Sequence, residues 1–215
     1  MNKKLENLKK LYESKVVAII RADEPDKLLK AVEALEKGGI PVIEISMTTP
    51  GALEAIRRVA ESFGGGVFVG AGTVLDPETA RHAILAGAEF VFAPTSNRET
   101  IALCKRYSKI VIPGAFSPTE ILTAWEWGAD LVKVFPAHEV GASFFKAVKA
   151  PLPQVDLIAV GGVNLENAAD FIAAGASAVG IGSSLVKKEI LKENRFGELT
   201  ELAKKLVGKL GEAGK

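Results

Sequence analysis

Eight short apolar runs, rich in β-branched residues, recur along the chain with helix-like segments between them. They are Val16–Ile20, Val42–Ser46, Val67–Ala71, Phe90–Ala93, Ile110–Pro113, Leu131–Phe135, Asp156–Val160 and Ala178–Gly182. Near-continuous apolar runs of this length suit strands covered on both faces. The segments between them are apolar on one side only. Leu28, Ala31, Val32 and Leu35 share one helical face, and Ala52, Ile56 and Val59 share another. Strict alternation of strand and helix demands parallel strands with right-handed crossovers. Eight such units predict an α/β fold, a closed (β/α)8 or TIM barrel, with residues 1–215 as a single domain. An open doubly wound sheet would need a glycine fingerprint in its first turn, and that turn reads Arg21-Ala22-Asp23-Glu24-Pro25.

Local signals agree with this division. Asp76-Pro77 offers a helix cap before a first-turn proline, and Ser117-Pro118-Thr119-Glu120 reads as a capping box. Helices stop at Gly38-Gly39, Gly87-Ala88, Gly128-Ala129 and Gly175-Ala176, each followed closely by a strand. Glycine suits the left-handed turn that ends a helix. Leu5, Leu8, Leu11 and Tyr12 form a stripe before the first strand, and Leu199, Leu202, Leu206 and Leu210 form one at the end. Both predict packing helices flanking the barrel.

Composition narrows the function classes. Lys and Arg number 27 against 26 Asp and Glu, a formal charge of +1. Proteins that live on nucleic-acid phosphates usually carry a basic excess, so no nucleic-acid partner is expected. The single cysteine, Cys104, allows no intrachain disulfide, which fits a reducing compartment. Two histidines, His82 and His138, exclude a His-rich metal site. The charged start cannot serve as the apolar core of a signal peptide, and no run approaches the roughly 18 apolar residues of a membrane span. A cytoplasmic protein without a membrane partner is the expectation.

Three charged residues interrupt the apolar strands or follow them: Arg21, Glu44 and Lys133. A lone buried ion costs several kcal/mol unless it is paired. Lys133 and Glu44 could therefore be an ion pair, or the pair could do chemistry. A free lysine has a pKa of about 10.4, so roughly one in a few thousand is neutral at pH 7. An apolar pocket would lower that value and release a nucleophile. Glu44 could then move protons on and off carbon and oxygen. Arg21 could grip a carboxylate with its fork, or simply be solvated. Gly161-Gly162 after the seventh strand and Gly182-Ser183-Ser184 after the eighth stand where barrels often cradle a phosphate. Thr73 could touch a substrate oxygen or cap a turn, and Pro94 shapes the rim. His138 reads as solvent-facing, and Trp125, Trp127 and Cys104 as packing residues.

Taken in order, several motifs resemble a known family. They are IRA with Arg21, VIEIS with Glu44, GAGTV with Thr73, AP with Pro94, PGAFSPTE, LVKVFPA with Lys133 and Phe135, GGVN and GIGSS. The series resembles the 2-dehydro-3-deoxyphosphogluconate (KDPG) / 4-hydroxy-2-oxoglutarate (KHG) aldolases, class I enzymes on (β/α)8 barrels. The resemblance implies that Lys133 forms a Schiff base with a 2-oxo acid and that Glu44 is the general acid/base. It also implies that Arg21, Thr73, Pro94 and Phe135 bind the pyruvate end, and that Gly161, Gly162, Gly182 and Ser183 bind a phosphate. No cofactor or metal is implied, and a homotrimer is. Thr48 occupies the position where some members carry a carboxylate-binding arginine, a role that Arg21 would take over. Val160-Gly161-Gly162 replaces the Thr-Gly-Gly of phosphogluconate enzymes and is similar to the aldolases for the C4 epimer, 2-dehydro-3-deoxy-6-phosphogalactonate. Two other readings remain open on the same residues: a phosphosugar isomerase or epimerase, and a non-catalytic phospho-ligand-binding scaffold.

Overall fold

The computed structural model describes residues 3–21 and 24–213. Ala22 and Asp23 of the first turn lie outside them. The chain opens with α1 (Lys3–Ser14) and then alternates: β1 (Val16–Ile20), α2 (Pro25–Lys37), β2 (Val42–Ser46), α3 (Ala52–Phe63) and β3 (Phe68–Gly72). Next come α4 (Pro77–Leu85), β4 (Phe90–Phe92), α5 (Arg98–Arg106), β5 (Ile110–Ile112), β6 (Gly114–Ala115) and α6 (Pro118–Glu126). The chain continues with β7 (Val132–Val134), α7 (Ala137–Lys149), β8 (Leu157–Val160), α8 (Ala168–Ala173), β9 (Ala178–Ile181), α9 (Lys188–Lys192) and α10 (Phe196–Ala213).

All strand pairings among the described residues are parallel, in the order β5-β4-β3-β2-β1-β9-β8-β7-β6. The eight apolar runs predict eight strands, and the described residues form nine. The difference lies at Pro113. It has no N–H to donate, so the ladder is interrupted there. On one side β5 pairs with β4, and on the other β6 pairs with β7. The Pro113 carbonyl itself accepts from the Lys133 N–H at 2.8 Å. Residues 110–115 thus form one broken stave, and across it the (β/α)8 barrel closes.

The expected caps form. The Thr79 N–H donates to the Asp76 carboxylate at 2.6 Å. Ser117 and Glu120 complete a reciprocal capping box at the start of α6. Two apolar cores follow from strand alternation. One lies between the strands and the surrounding helices and takes in Leu28, Ala31, Val32, Leu35, Phe145 and Leu206. The other fills the barrel with Val17, Ile19, Phe68, Phe90, Phe92, Leu131 and Ile158.

Helix α1 closes the end of the barrel where the strands begin, with Leu11 fully buried and Leu8 packed beside it. The expected stripe on this helix is narrower than its sequence suggests. Leu5 is 58% exposed, and Tyr12 reaches the rim instead, where its hydroxyl donates to Asp156 at 2.7 Å. The C-terminal stripe packs as expected, with Leu199, Leu206 and Leu210 buried against the core. Phe145 is buried within the monomer, edge-on to Phe171.

Candidate active site

The site lies at the C-terminal ends of the strands, where barrels carry their chemistry. A cavity of about 520 Å³ opens there. All the residues singled out from sequence line it: Arg21, Glu44, Thr73, Pro94, Lys133, Phe135, Gly161, Gly162, Gly182 and Ser183. They come from seven staves of the barrel, so only the closed sheet brings them together.

Lys133 sits at the middle of β7, and alternation turns it inward with Leu131. Only 7% of the residue is exposed. Its ammonium lies 4.6 Å from the centre of the Phe92 ring and 4.7 Å from that of Phe135. Both rings present negative faces to a cation. Phe92 in turn stands edge-on to Phe90, which tilts against Phe68, so an aromatic ladder forms the floor. Among the described residues, no hydrogen bond or salt bridge satisfies the amine. Burial lowers its pKa to about 8, with the Glu44 charge opposing and the Arg21 charge adding to the fall.

Glu44 projects inward from the middle of β2 and is 2% exposed. Burial raises its carboxyl to about 7, against the opposing pull of Lys133 and Arg21. The two groups feel one another electrostatically, yet no salt bridge joins them. Two buried and unpaired groups of opposite sign, poised near neutrality, flank a space large enough for a small acid. Arg21, exposed at the end of β1, brings a guanidinium to the same cavity.

A row of hydroxyls ties together Thr48 and Thr73 of the cavity wall. The Ser46 hydroxyl is fully buried, 2.9 Å from the Thr48 hydroxyl and 3.0 Å from that of Thr73. Thr73 has φ +59°, a left-handed conformation that a β-branched residue rarely adopts. Sequence reasoning passed over Ser46. Its signal was available: a serine two residues beyond Glu44, on the same inward face of β2.

The glycine loops are built from the backbone. Gly161 and Gly162 both take positive φ, at +92° and +71°. The Gly161 carbonyl accepts from the His138 N–H at 3.1 Å, and the Gly162 carbonyl from the Asn167 side-chain amide at 3.0 Å. A trans peptide points its N–H opposite to its carbonyl. Tying both carbonyls back therefore aims the next N–H groups away from those ties. The Ser184 hydroxyl fastens the second loop to the first, donating to the Val163 carbonyl at 2.8 Å. His138 is half-exposed, as expected, but it also packs against Gly162 and so buttresses the loop. Cys104 is buried in α5, where burial pushes its thiol up to about 12.

Comparison with known proteins identifies the family. Residues 8–202 match the family described as "Aldolase: KDPG and KHG aldolase". The 2-dehydro-3-deoxy-6-phosphogalactonate aldolase of Escherichia coli K12 is 36% identical over 80% of this chain and 84% of its own. The 2-dehydro-3-deoxy-phosphogluconate aldolase of Haemophilus influenzae is 32% identical over 93% of this chain and 94% of its own. Among solved structures, KDPG aldolase from Legionella pneumophila, with pyruvate captured at low pH as a covalent carbinolamine intermediate, matches with a TM-score of 0.86. It is 31% identical, with 92% of this chain and 96% of that chain covered. A family match over most of the sequence, with relatives of this kind, settles the lineage: this chain belongs to the KDPG and KHG aldolase family.

Proposed function

We propose that the protein cleaves 2-dehydro-3-deoxy-6-phosphogluconate to pyruvate and glyceraldehyde 3-phosphate through an imine on Lys133. It is a metal-independent carbon–carbon lyase. The observation that carries this reading is the pairing of a buried, unbonded Lys133 amine with a buried, unbonded Glu44 carboxyl across one cavity. Burial holds the Lys133 pKa well below that of a free lysine, so far more of the amine is neutral at pH 7 than the roughly one in a few thousand of a free lysine.

The steps follow from these groups. The neutral amine adds to the C2 carbonyl and gives a carbinolamine. Protonated Glu44 gives its proton to the departing hydroxyl, and water leaves an iminium. The Glu44 carboxylate then takes the proton of the C4 hydroxyl. The C3–C4 bond breaks, its electron pair flows to C3 and the iminium, and the aldehyde departs. Protonation of the resulting enamine at C3 and hydrolysis release pyruvate and restore Lys133. Arg21 and Thr73 hold the substrate carboxylate. Pro94 and Phe135 wall the pyruvate end. Gly161, Gly162, Gly182 and Ser183 present N–H groups to the phosphate, a suitable arrangement for an anion.

Val160 supplies an apolar wall where a threonine would add a hydroxyl, so discrimination between C4 epimers is weakened. The C4 epimer and 4-hydroxy-2-oxoglutarate are therefore also substrates. The protein works in the cytoplasm, in carbohydrate metabolism, as a homotrimer of single-domain chains. Light scattering should give three times the mass of one chain, and a monomer at working concentration would refute the trimer.

Borohydride reduction in the presence of pyruvate, followed by peptide mass mapping, tests the mechanism. The expected result is a pyruvate-derived adduct on Lys133. A folded sample that binds pyruvate without forming the adduct would overturn it.

A further inference from the structure

We propose that Gly72 is a positioning residue: the space left by its missing side chain is the seat of the Glu44 carboxyl group. The inward face of β3 reads Phe68, Gly70, Gly72. Gly72 pairs with Ser46 of β2, one inward step beyond Glu44. Its φ is not positive, so conformational freedom is not what the position requires. Space is. A Cβ built on Gly72 would overlap Oε1 and Cδ of Glu44. Gly70, one inward step below, has a different guest, since a Cβ there would overlap the Phe90 ring. Strand β3 thus gives up two side chains, one to the aromatic floor and one to the carboxyl group.

The barrel leaves the carboxyl few other places. Glu44 is almost fully buried, and the charged groups that act on it are Lys133 from β7 and Arg21 beyond β1. Catalytic groups must be held to about 0.5 Å, and a displacement of about 1 Å can cost 10²-fold in rate. Any side chain at position 72 would force a shift of that order. The proposal rests on Glu44 being the acid/base of an imine aldolase, although the seat itself is a matter of packing.

The test is a double-mutant cycle of Gly72→Ala and Glu44→Ala, read by melting temperature and by the pH profile of turnover. Gly72→Ala alone should lower kcat by about 10²-fold. It should also move the limb near pH 7 that reports Glu44, which simple loosening of the fold would leave in place. It should lower the melting temperature by several degrees. In the Glu44→Ala background, where the seat is empty and the limb is gone, the same substitution should leave the melting temperature nearly unchanged. Equal melting losses in both backgrounds, or turnover within threefold of the wild type with the limb unmoved, would overturn the assignment. Should Gly72→Ala alone fail to fold, the double variant decides. Recovery of folding supports the seat, and continued failure overturns it. Pyruvate trapping on the wild type separates the two ideas. Without a Lys133 adduct the aldolase reading falls, and the melting cycle still decides the seat.

Discussion

The two ends of the barrel treat buried charge in opposite ways. At the end where the strands begin, three acids before the strands all have partners. Asp130, just before β7, accepts from Lys4 at 2.9 Å, from Lys105 at 3.3 Å and from the Val111 N–H at 2.9 Å. Glu89, before β4, is paired with Lys3 and Lys109. Asp156, before β8, accepts from Tyr12 and Ser177. At the other end, Glu44 and Lys133 are more deeply buried and have no hydrogen bond between them. An unpaired buried ion costs several kcal/mol, which evolution rarely tolerates for packing alone. The satisfied end holds α1 in place. The unsatisfied end waits for a substrate to complete it. Substitutions at the two ends should therefore trade activity against stability in opposite senses.

The largest effect is expected at Lys133. Lys133→Met removes the nucleophile and should lower turnover by at least roughly 10³-fold, with complete loss of the trapped adduct. Because a flexible apolar chain replaces a buried amine between two aromatic rings, the protein should become more stable by about 1 kcal/mol at pH 7. Steady-state kinetics and chemical denaturation check both halves. A variant that is inactive and also clearly destabilised at pH 7 would mean that Lys133 belongs to the structural charges after all.

Glu44→Gln comes next, with turnover lower by about 10²- to 10⁴-fold. Its stability should depend on pH in a defined direction. Burial raises the Glu44 carboxyl from 4.5 to about 7, so the folded state keeps a proton that the unfolded chain gives up between those values. The contribution of the protonated acid is fully present below pH 4.5 and is lost as pH rises through 7. Glu44→Gln should therefore gain on the wild type across that window. Lys133 runs the other way. Its pKa falls from 10.5 to about 8, so its cost is present below pH 8 and relieved toward 10.5. Denaturation curves of wild type and variant from pH 5 to pH 9 check this, and a parallel course would remove the assignment.

Much of this was legible in the chain itself. The eight runs predicted the barrel because strands covered on both faces cannot alternate, and the charges inside Val42–Ser46 and Leu131–Phe135 stood out against that background. Three things were hidden. The break at Pro113 depends on which neighbour each half of a strand pairs with, and no local pattern carries that. The Ser46 bridge to Thr73 joins residues on two strands, so spacing alone does not show it. The absence of a Glu44–Lys133 salt bridge concerns side chains on two strands far apart in the sequence. Opposite charges in a sequence suggest pairing, and only the fold tells whether the gap is closed.

Smaller effects are expected at the satisfied end, and they sharpen the contrast. Asp130→Ala leaves the Val111 N–H and the half-buried Lys4 without that acceptor, at a cost of about 1–3 kcal/mol. Turnover per folded molecule should stay near the wild-type value, since Asp130 lies at the opposite end of β7 from the cavity. A large fall in kcat with unchanged stability would break the division between the two ends. Tyr12→Phe is the mildest probe. It deletes one hydroxyl that donates to Asp156 from the exposed rim of α1. Asp156 keeps its bond from Ser177, so no acceptor is orphaned, and the loss should be about 0.5–1.5 kcal/mol. Burial and the hydrogen bond to Asp156 raise the Tyr12 hydroxyl above its ordinary value, so the bond should persist through pH 9 and the penalty should be flat from pH 6 to pH 9. A penalty that varied over this range would mean that α1 is held by groups titrating within it. The satisfied end would then share the pH sensitivity of the cavity.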